Sequence, residues 1–188
     1  MIYEPSEDSF LLLKHVKKNS KGVVLDIGTG SAIQALEAAK SKNVVKVYGV
    51  DIDKKTIDYC RTNIESKKIE FYTSDLFSVF KNYEKLKEIK FDTIIFNPPY
   101  LPNDVRVKDI ALDGGRKGYE LLQRFFIDAK KFLKPNGRML IVFSSLTDRI
   151  MVDQLLQKYK YKFKLLDSEK MAFEELYVYL IENDTILR

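Results

Sequence analysis

The chain has 188 residues, 45% hydrophobic and 31% charged, which suits a single domain over residues 1–188 with a sizeable core. Its net charge of +5 and pI near 9.0 hint at nucleic acid, yet the basic residues are interleaved with nearly as many acids and read as solvated helix faces. One cysteine, Cys60, excludes an internal disulfide, and one histidine, His15, excludes a His/Cys zinc site or a Ser-His-Asp triad, so no metal is expected. No apolar stretch reaches membrane-spanning length, and the early acids Glu4, Glu7 and Asp8 are unlike a signal peptide, so a cytoplasmic protein is expected.

Taken in chain order, Pro5 ends an extended lead-in, and Ser6 is placed to cap a helix over 6–18 whose positive end suits Glu7 and Asp8. Residues 23–27 form a β-branched strand that runs through Gly28-Thr29-Gly30-Ser31-Ala32 into a helix over 31–41. Backbone N–H groups therefore point at the helix entrance, and the glycines let a ligand approach the main chain closely. A dinucleotide fingerprint would need a third glycine where Ile33 stands, which weakens a nicotinamide reading. Strand 46–50 ends in Asp51, 21 residues after Gly30, where a carboxylate accepts from both hydroxyls of a ribose, with Ile52 beside it. A helix over 54–65 puts Cys60 on one apolar face with Ile57 and Ile64. Strand 69–72 leads to Asp75 and Leu76. The Asp75 carboxylate either accepts from an adenine amino group or caps a helix over 76–87.

Residues 91–96 read as a buried strand, and it delivers the tetrapeptide Asn97-Pro98-Pro99-Tyr100. The two prolines fix φ and remove two backbone donors, leaving carbonyls free to accept. Asn97 adds a side-chain acceptor and Tyr100 a flat face for stacking, a combination suited to a planar NH2 group. The long segment to Gly118, with the cluster Asp113-Gly114-Gly115-Arg116-Lys117-Gly118, reads as a loop that contacts substrate. A helix over 118–134, a strand over 138–143 and a helix over 147–158 follow. The runs 163–166 and 175–181 lie close enough to pair as an antiparallel hairpin. Such alternation predicts an α/β fold whose mostly parallel sheet is covered on both faces.

The loop from Asp26 resembles the D-x-G-x-G-x-G loop of S-adenosylmethionine-dependent methyltransferases, with Ala32 in place of the last glycine. Joined to the opening Tyr3-Glu4-Pro5-Ser6-Glu7-Asp8-Ser9-Phe10-Leu11-Leu12-Leu13, to Asn97-Pro98-Pro99-Tyr100 and to Asp113-Gly114-Gly115, it is similar to the HemK family of protein-glutamine N5-methyltransferases. The similarity is strongest to that family's short archaeal and eukaryotic branch and spans essentially the whole chain. It implies a Rossmann-like class I methyltransferase fold with a seven-stranded sheet, and S-adenosylmethionine as cofactor with S-adenosylhomocysteine as product. It implies cofactor contacts from Glu7, Ser9, Asp26, Gly28, Thr29, Gly30, Asp51, Ile52, Asp75, Leu76 and Asn97. The implied substrate is the glutamine of the Gly-Gly-Gln motif in a class I peptide-chain release factor, met by Asn97, Pro98, Pro99, Tyr100, Gly114 and Gly115. A small zinc-binding activator protein is the implied partner.

An amide nitrogen is a weak nucleophile, so the expected work of Asn97, Pro98 and Tyr100 is positioning: Asn97 Oδ1 and the Pro98 carbonyl accept the two N–H hydrogens, and Tyr100 confines the amide plane. Strand 69–72 is expected at an edge of the sheet, blunted by Lys67 and Lys68 and open to strand addition by the activator. Two other readings fit the same residues. A DNA or RNA methyltransferase would offer the acceptors to an exocyclic base amine, although no target-recognition domain or basic aromatic stripe is evident. A catalytically silent binding subunit would keep the fold alone.

Overall fold

The computed structural model describes residues 4–99 and 119–184. The elements are α1 (Glu7–Asn19), β1 (Gly22–Ile27), α2 (Ile33–Ala39), β2 (Val44–Asp51), α3 (Lys54–Asn63), β3 (Ile69–Thr73), α4 (Ser78–Asn82), β4 (Phe91–Phe96), α5 (Glu120–Phe132), β5 (Leu133–Ser144), α6 (Arg149–Lys158), β6 (Tyr161–Lys170) and β7 (Glu175–Asn183). They build a seven-stranded sheet in the order β3-β2-β1-β4-β5-β7-β6, parallel except where β7 pairs antiparallel with β5 and β6. This is the Rossmann-like class I methyltransferase arrangement implied by the resemblance, with its C-terminal antiparallel hairpin.

Period-two burial explains why helices cover both faces. Leu25, Ile27, Ile94, Phe96, Met139, Ile141 and Phe143 point into one cluster, where α4 and α5 add Phe80, Phe125, Phe126 and Phe132. Val24, Ile95, Leu140 and Val142 point the other way, against Leu11, Leu12 and Val16 of α1, Ala35 and Ala38 of α2, and Ile57 and Cys60 of α3. The expected apolar face of α3 is therefore core. Phe77 stacks on Phe132 with centroids 5.0 Å apart, and Phe80 meets Phe91 edge-on at 5.0 Å, geometries that add to the area these rings bury. Far from this core, α1 is tied across β6 by Lys14 to Glu169 at 3.3 Å and by His15 Nε2 to Asp167 Oδ2 at 2.8 Å.

Three expectations are corrected. The helix read over 76–87 is only the short α4 followed by a 3-10 turn, Glu84–Leu86. The Ser74 hydroxyl donates to the Leu76 carbonyl and accepts from the Val79 amide, Leu76 takes a positive φ of 48°, and Tyr83 is extended, so the helix starts late and stops early. Ser6 stands at the cap position of α1, but its hydroxyl donates to Asp8 Oδ1. Finally, β5 begins at Leu133 and absorbs Pro135-Asn136-Gly137 through a register shift against β4.

Gly49 of β2 marks the tightest packing beside the site. A Cβ there would lie 2.6 Å from Phe71 Cδ1 and 3.0 Å from Thr29 Oγ1. Gly49→Ala is expected to destabilise the protein by about 1–3 kcal/mol through overpacking, read as a lower urea midpoint with an unchanged slope.

Candidate active site

The site forms where the strand order reverses. β1 pairs with β2 through Ile27 and Val50 and with β4 through Ile27 and Phe96, so the residues after these strands meet at one edge, the usual ligand crevice of such sheets. Gly28 follows with φ +63°, and a Cβ there would sit 3.8 Å from the Asn97 carbonyl oxygen. Glycine thus lets the loop turn while lying against the start of the tetrapeptide. Gly30 is also left-handed, at +50°, and so is Ala32, at +63°, where the resembled loop carries glycine. A side chain held there costs roughly 1–2 kcal/mol.

Interior hydrogen bonds hold this loop. Asp26 is 1% exposed, and its Oδ2 accepts from Thr29 Oγ1 at 2.6 Å and from the Ala35 amide at 3.1 Å. Burial pushes the Asp26 carboxyl up to about 7, against the lowering effect of the Thr29 and Ala35 bonds and with help from the Asp51 charge. Asp51 Oδ2 accepts from the Gly30 amide at 3.1 Å, and its Oδ1 from the Asp53 amide at 2.9 Å. Its half-buried carboxyl is raised mainly by desolvation. On the other side, the Cys60 thiol donates to the Gly30 carbonyl at 3.3 Å, and burial pushes its pKa up to about 11, which keeps the donor protonated. Both main-chain groups of Gly30 are therefore held from separate elements, β2 and α3.

Asn97 is half-buried at the end of β4. Its Nδ2 donates to Ser9 Oγ of α1 at 3.1 Å, while its Oδ1 is buried with no hydrogen-bond partner among the described residues. An acceptor in that state carries a desolvation cost until a donor reaches it. Pro98 is buried and Pro99 half-buried behind it.

The remaining expected residues divide. Thr29 and Ser9 are buried in the hydrogen bonds just described, and Ile52 is 55% exposed beside Asp51, an apolar surface at the crevice. Glu7 is exposed at the start of α1. Asp26 is buried and holds the loop from inside through Thr29 and Ala35. Asp75 does not cap α4, where Phe77 holds the cap position; its exposed carboxylate pairs with Arg124 Nη2 of α5 at 2.7 Å. Leu76 is 7% exposed and packs into the core. Tyr100, Gly114 and Gly115 lie outside the described residues.

Gln34, Arg124 and the thiol role of Cys60 were not expected. Gln34 interrupts the buried stripe with Ala35 and Ala38, and a polar side chain in such a place was the signal that it must bond something. Its Nε2 donates to the Ser9 carbonyl at 2.8 Å.

The edge strand bears on a partner. β3 is at the edge as expected, and an open cavity of about 320 Å³ runs beside it, lined by Arg61, Ile64, Ile69, Glu70, Phe71 and Tyr72. The guanidinium of Arg61 donates to the outward Phe71 carbonyl at 3.0 and 2.6 Å. Lys68 does not blunt this edge, because its ammonium turns back to the Ala39 and Ser41 carbonyls that end α2.

A pH signature follows from Asp26. Its pKa in the fold, about 7, lies above the ordinary 3.8, so the folded state binds the extra proton between these values and stability falls as pH rises through that window. Thermal melts of the cofactor-free protein should show Asp26→Asn gaining on wild type from pH 4 to 7 and levelling above it. A gap that stays constant with pH would mean that Asp26 is ionised throughout.

With this geometry in place, likeness to known proteins is specific. The methyltransferase small domain family matches residues 6–170. A Methanocaldococcus jannaschii protein, named provisionally as a protein N5-glutamine methyltransferase, is 36% identical over 184 residues, covering 94% of this chain and 89% of its own length. The release factor glutamine methyltransferase of Koribacter versatilis is 32% identical over 130 residues, which span 63% of this chain and 45% of that longer protein. Among solved structures, the E. cuniculi Mtq2–Trm112 complex, responsible for methylation of the eRF1 translation termination factor, superposes with TM-score 0.73 at 22% identity, covering 97% of this chain and 98% of the matched one. The chain belongs to the methyltransferase small domain family and, within it, to the protein-glutamine N5-methyltransferases, enzymes of the S-adenosylmethionine-dependent class.

Proposed function

We propose that the chain methylates the side-chain amide nitrogen of the glutamine in the Gly-Gly-Gln motif of a class I peptide-chain release factor, using S-adenosylmethionine. The observation that carries this reading is the buried Asn97 Oδ1, without a partner among the described residues and held beside the glycine loop. A planar NH2 group supplies the donor it lacks. The residues of the crevice also fit the cofactor, whose ammonium, ribose hydroxyls and adenine amine are donors: Asp51 and the loop carbonyls offer acceptors, and Ile52 an apolar face. When bound, S-adenosylmethionine supplies a methyl group on a cationic sulfur.

The chain's own contribution is then positional. Asn97 Oδ1 and the Pro98 carbonyl accept from the two amide hydrogens and fix the nitrogen's direction. Their partial negative charge gains strength as positive charge grows on that nitrogen, so the stabilisation is greatest in the transition state. Among the described residues no strong base hydrogen-bonds Asn97, and the surplus proton leaves to solvent after transfer.

A base-amine substrate would use the same acceptors, but the distribution of charge argues against it. Among the described residues, Lys46, Lys54, Lys134 and Arg124 each pair with an acid, and Lys81 and Lys131 share Asp128, so much of the basic charge here is met locally. Incubation with tritiated cofactor, presenting purified release factor and an oligonucleotide side by side, tests the choice. Label on the factor supports the reading; label on the oligonucleotide alone overturns it.

Binding and chemistry separate in two variants. Asp51→Asn should weaken cofactor binding by about 1.5–3 kcal/mol in calorimetry, the value of a charged hydrogen bond. Asn97→Ala should leave that affinity nearly intact and lower kcat about 10²–10³-fold. Full turnover by the second variant would remove Asn97 from the mechanism.

A small activator protein of the Trm112 kind is proposed to add a strand to β3 and fill the cavity beside it. In the parallel ladder the Val47 amide bonds the Lys68 carbonyl and the Ser74 amide bonds the Asp51 carbonyl, so Glu70 and Tyr72 face β2 while Phe71 and Thr73 face outward. Thr73→Pro therefore removes an outward donor and spares the inner ladder. The expected result is a folded protein with weakened activator binding in a pull-down; undiminished binding would place the interface elsewhere.

A further inference from the structure

We propose that Ser9 is a positioning residue for Asn97: its hydroxyl takes up the Asn97 NH2 group, sets the plane of the amide and leaves Oδ1 as the acceptor for the substrate amide. This rests on Asn97 receiving an NH2 group, as proposed above.

The two ends of a carboxamide are nearly the same size, and only the oxygen accepts. A freely rotating Asn97 would spend part of its time offering a donor to a donor. Here Nδ2 is engaged by Ser9 Oγ at 3.1 Å, and the oxygen is the end left over. Donation through Nδ2 also draws electron density onto Oδ1 and makes it a better acceptor.

The main chain that carries this hydroxyl is held by two hydrogen bonds. Ser9 is 3% exposed in the first turn of α1, its amide donates to Asp8 Oδ1, and its carbonyl accepts from Gln34 Nε2 at 2.8 Å. Gln34 belongs to the helix that follows the glycine loop. A chain of hydrogen bonds thus runs from α2 through α1 to the end of β4, linking the cofactor loop to the group that meets the substrate. Ser9 lies 88 positions from Asn97 in sequence, so the contact exists only in the folded chain.

The test uses the full chain with its activator, and Ser9→Ala, Ser9→Thr, Asn97→Ala and the Ser9→Ala/Asn97→Ala double variant. Ser9→Ala should lower kcat about tenfold, the loss of one hydrogen bond, with S-adenosylhomocysteine affinity and melting temperature unchanged. Ser9→Thr, which keeps the hydroxyl, should restore most of the rate. In the Asn97→Ala background the Ser9 change should cost nothing, because its effect passes through Asn97. Additive losses, or weaker S-adenosylhomocysteine binding with kcat unchanged, would overturn the proposal in favour of direct cofactor contact. A second arm needs no substrate: hydrogen exchange of the Asn97 side-chain NH2, identified in NMR spectra by its loss in Asn97→Ala, should speed up about tenfold in Ser9→Ala. An unchanged exchange rate overturns the proposal whatever the substrate is. If wild type fails to label release factor, the proposed function falls and this arm still decides the role of Ser9.

Discussion

The site depends on one buried carboxylate. Asp26 lies next to the end of a central strand, almost wholly buried, and a carboxyl there is tolerable only if hydrogen-bonded and partly neutral. It meets that condition by bonding Thr29 in the loop and Ala35 in the next helix, and so dictates where β1 must turn and where α2 must start. Everything the crevice offers follows from that turn: Gly28 lies against Asn97, Gly30 reaches Asp51, and Gln34 reaches Ser9. The polar interior is costly, but it gives the loop one shape before any ligand arrives.

That preorganisation suits a reaction in which the protein has little covalent chemistry to perform. Methyl transfer to an amide asks for a nitrogen held in line and for acceptors that sharpen as charge develops. Under the proposed function, Asn97 Oδ1, unpaired among the described residues, and the Pro98-Pro99 segment would supply direction, and the acids of the crevice would meet the donors of a cationic cofactor. The opposite edge of the same half-sheet is left open. Arg61 shields the outward carbonyl of Phe71, so an arriving strand must displace a guanidinium, which keeps the edge from pairing indiscriminately.

Strand ends were the most legible part in the sequence, because a βαβ chain must bring its loops to one edge and Gly28, Asp51 and Asn97 each stand directly after a strand. The antiparallel hairpin followed from the closeness of its two runs. Long-range side-chain contacts were not legible: nothing local joins Ser9 to Asn97, Arg61 to Phe71 or Arg124 to Asp75. Local competition also misled. Ser74, by bonding across the start of α4, reduced a full helix to a single turn and removed the capping role that was one of the two readings of Asp75. Lys68, beside an edge, suggested protection of that edge, and instead closes the end of a neighbouring helix.

The most direct measurement is a crystal structure of the chain with the proposed activator, S-adenosylhomocysteine and a peptide containing Gly-Gly-Gln. The glutamine amide nitrogen should lie about 2.7–3.2 Å from Asn97 Oδ1, with Asn97 Nδ2 still on Ser9. A glutamine side chain bound away from Asn97, or an Asn97 oxygen turned toward Ser9 with its NH2 facing the peptide, would contradict that assignment.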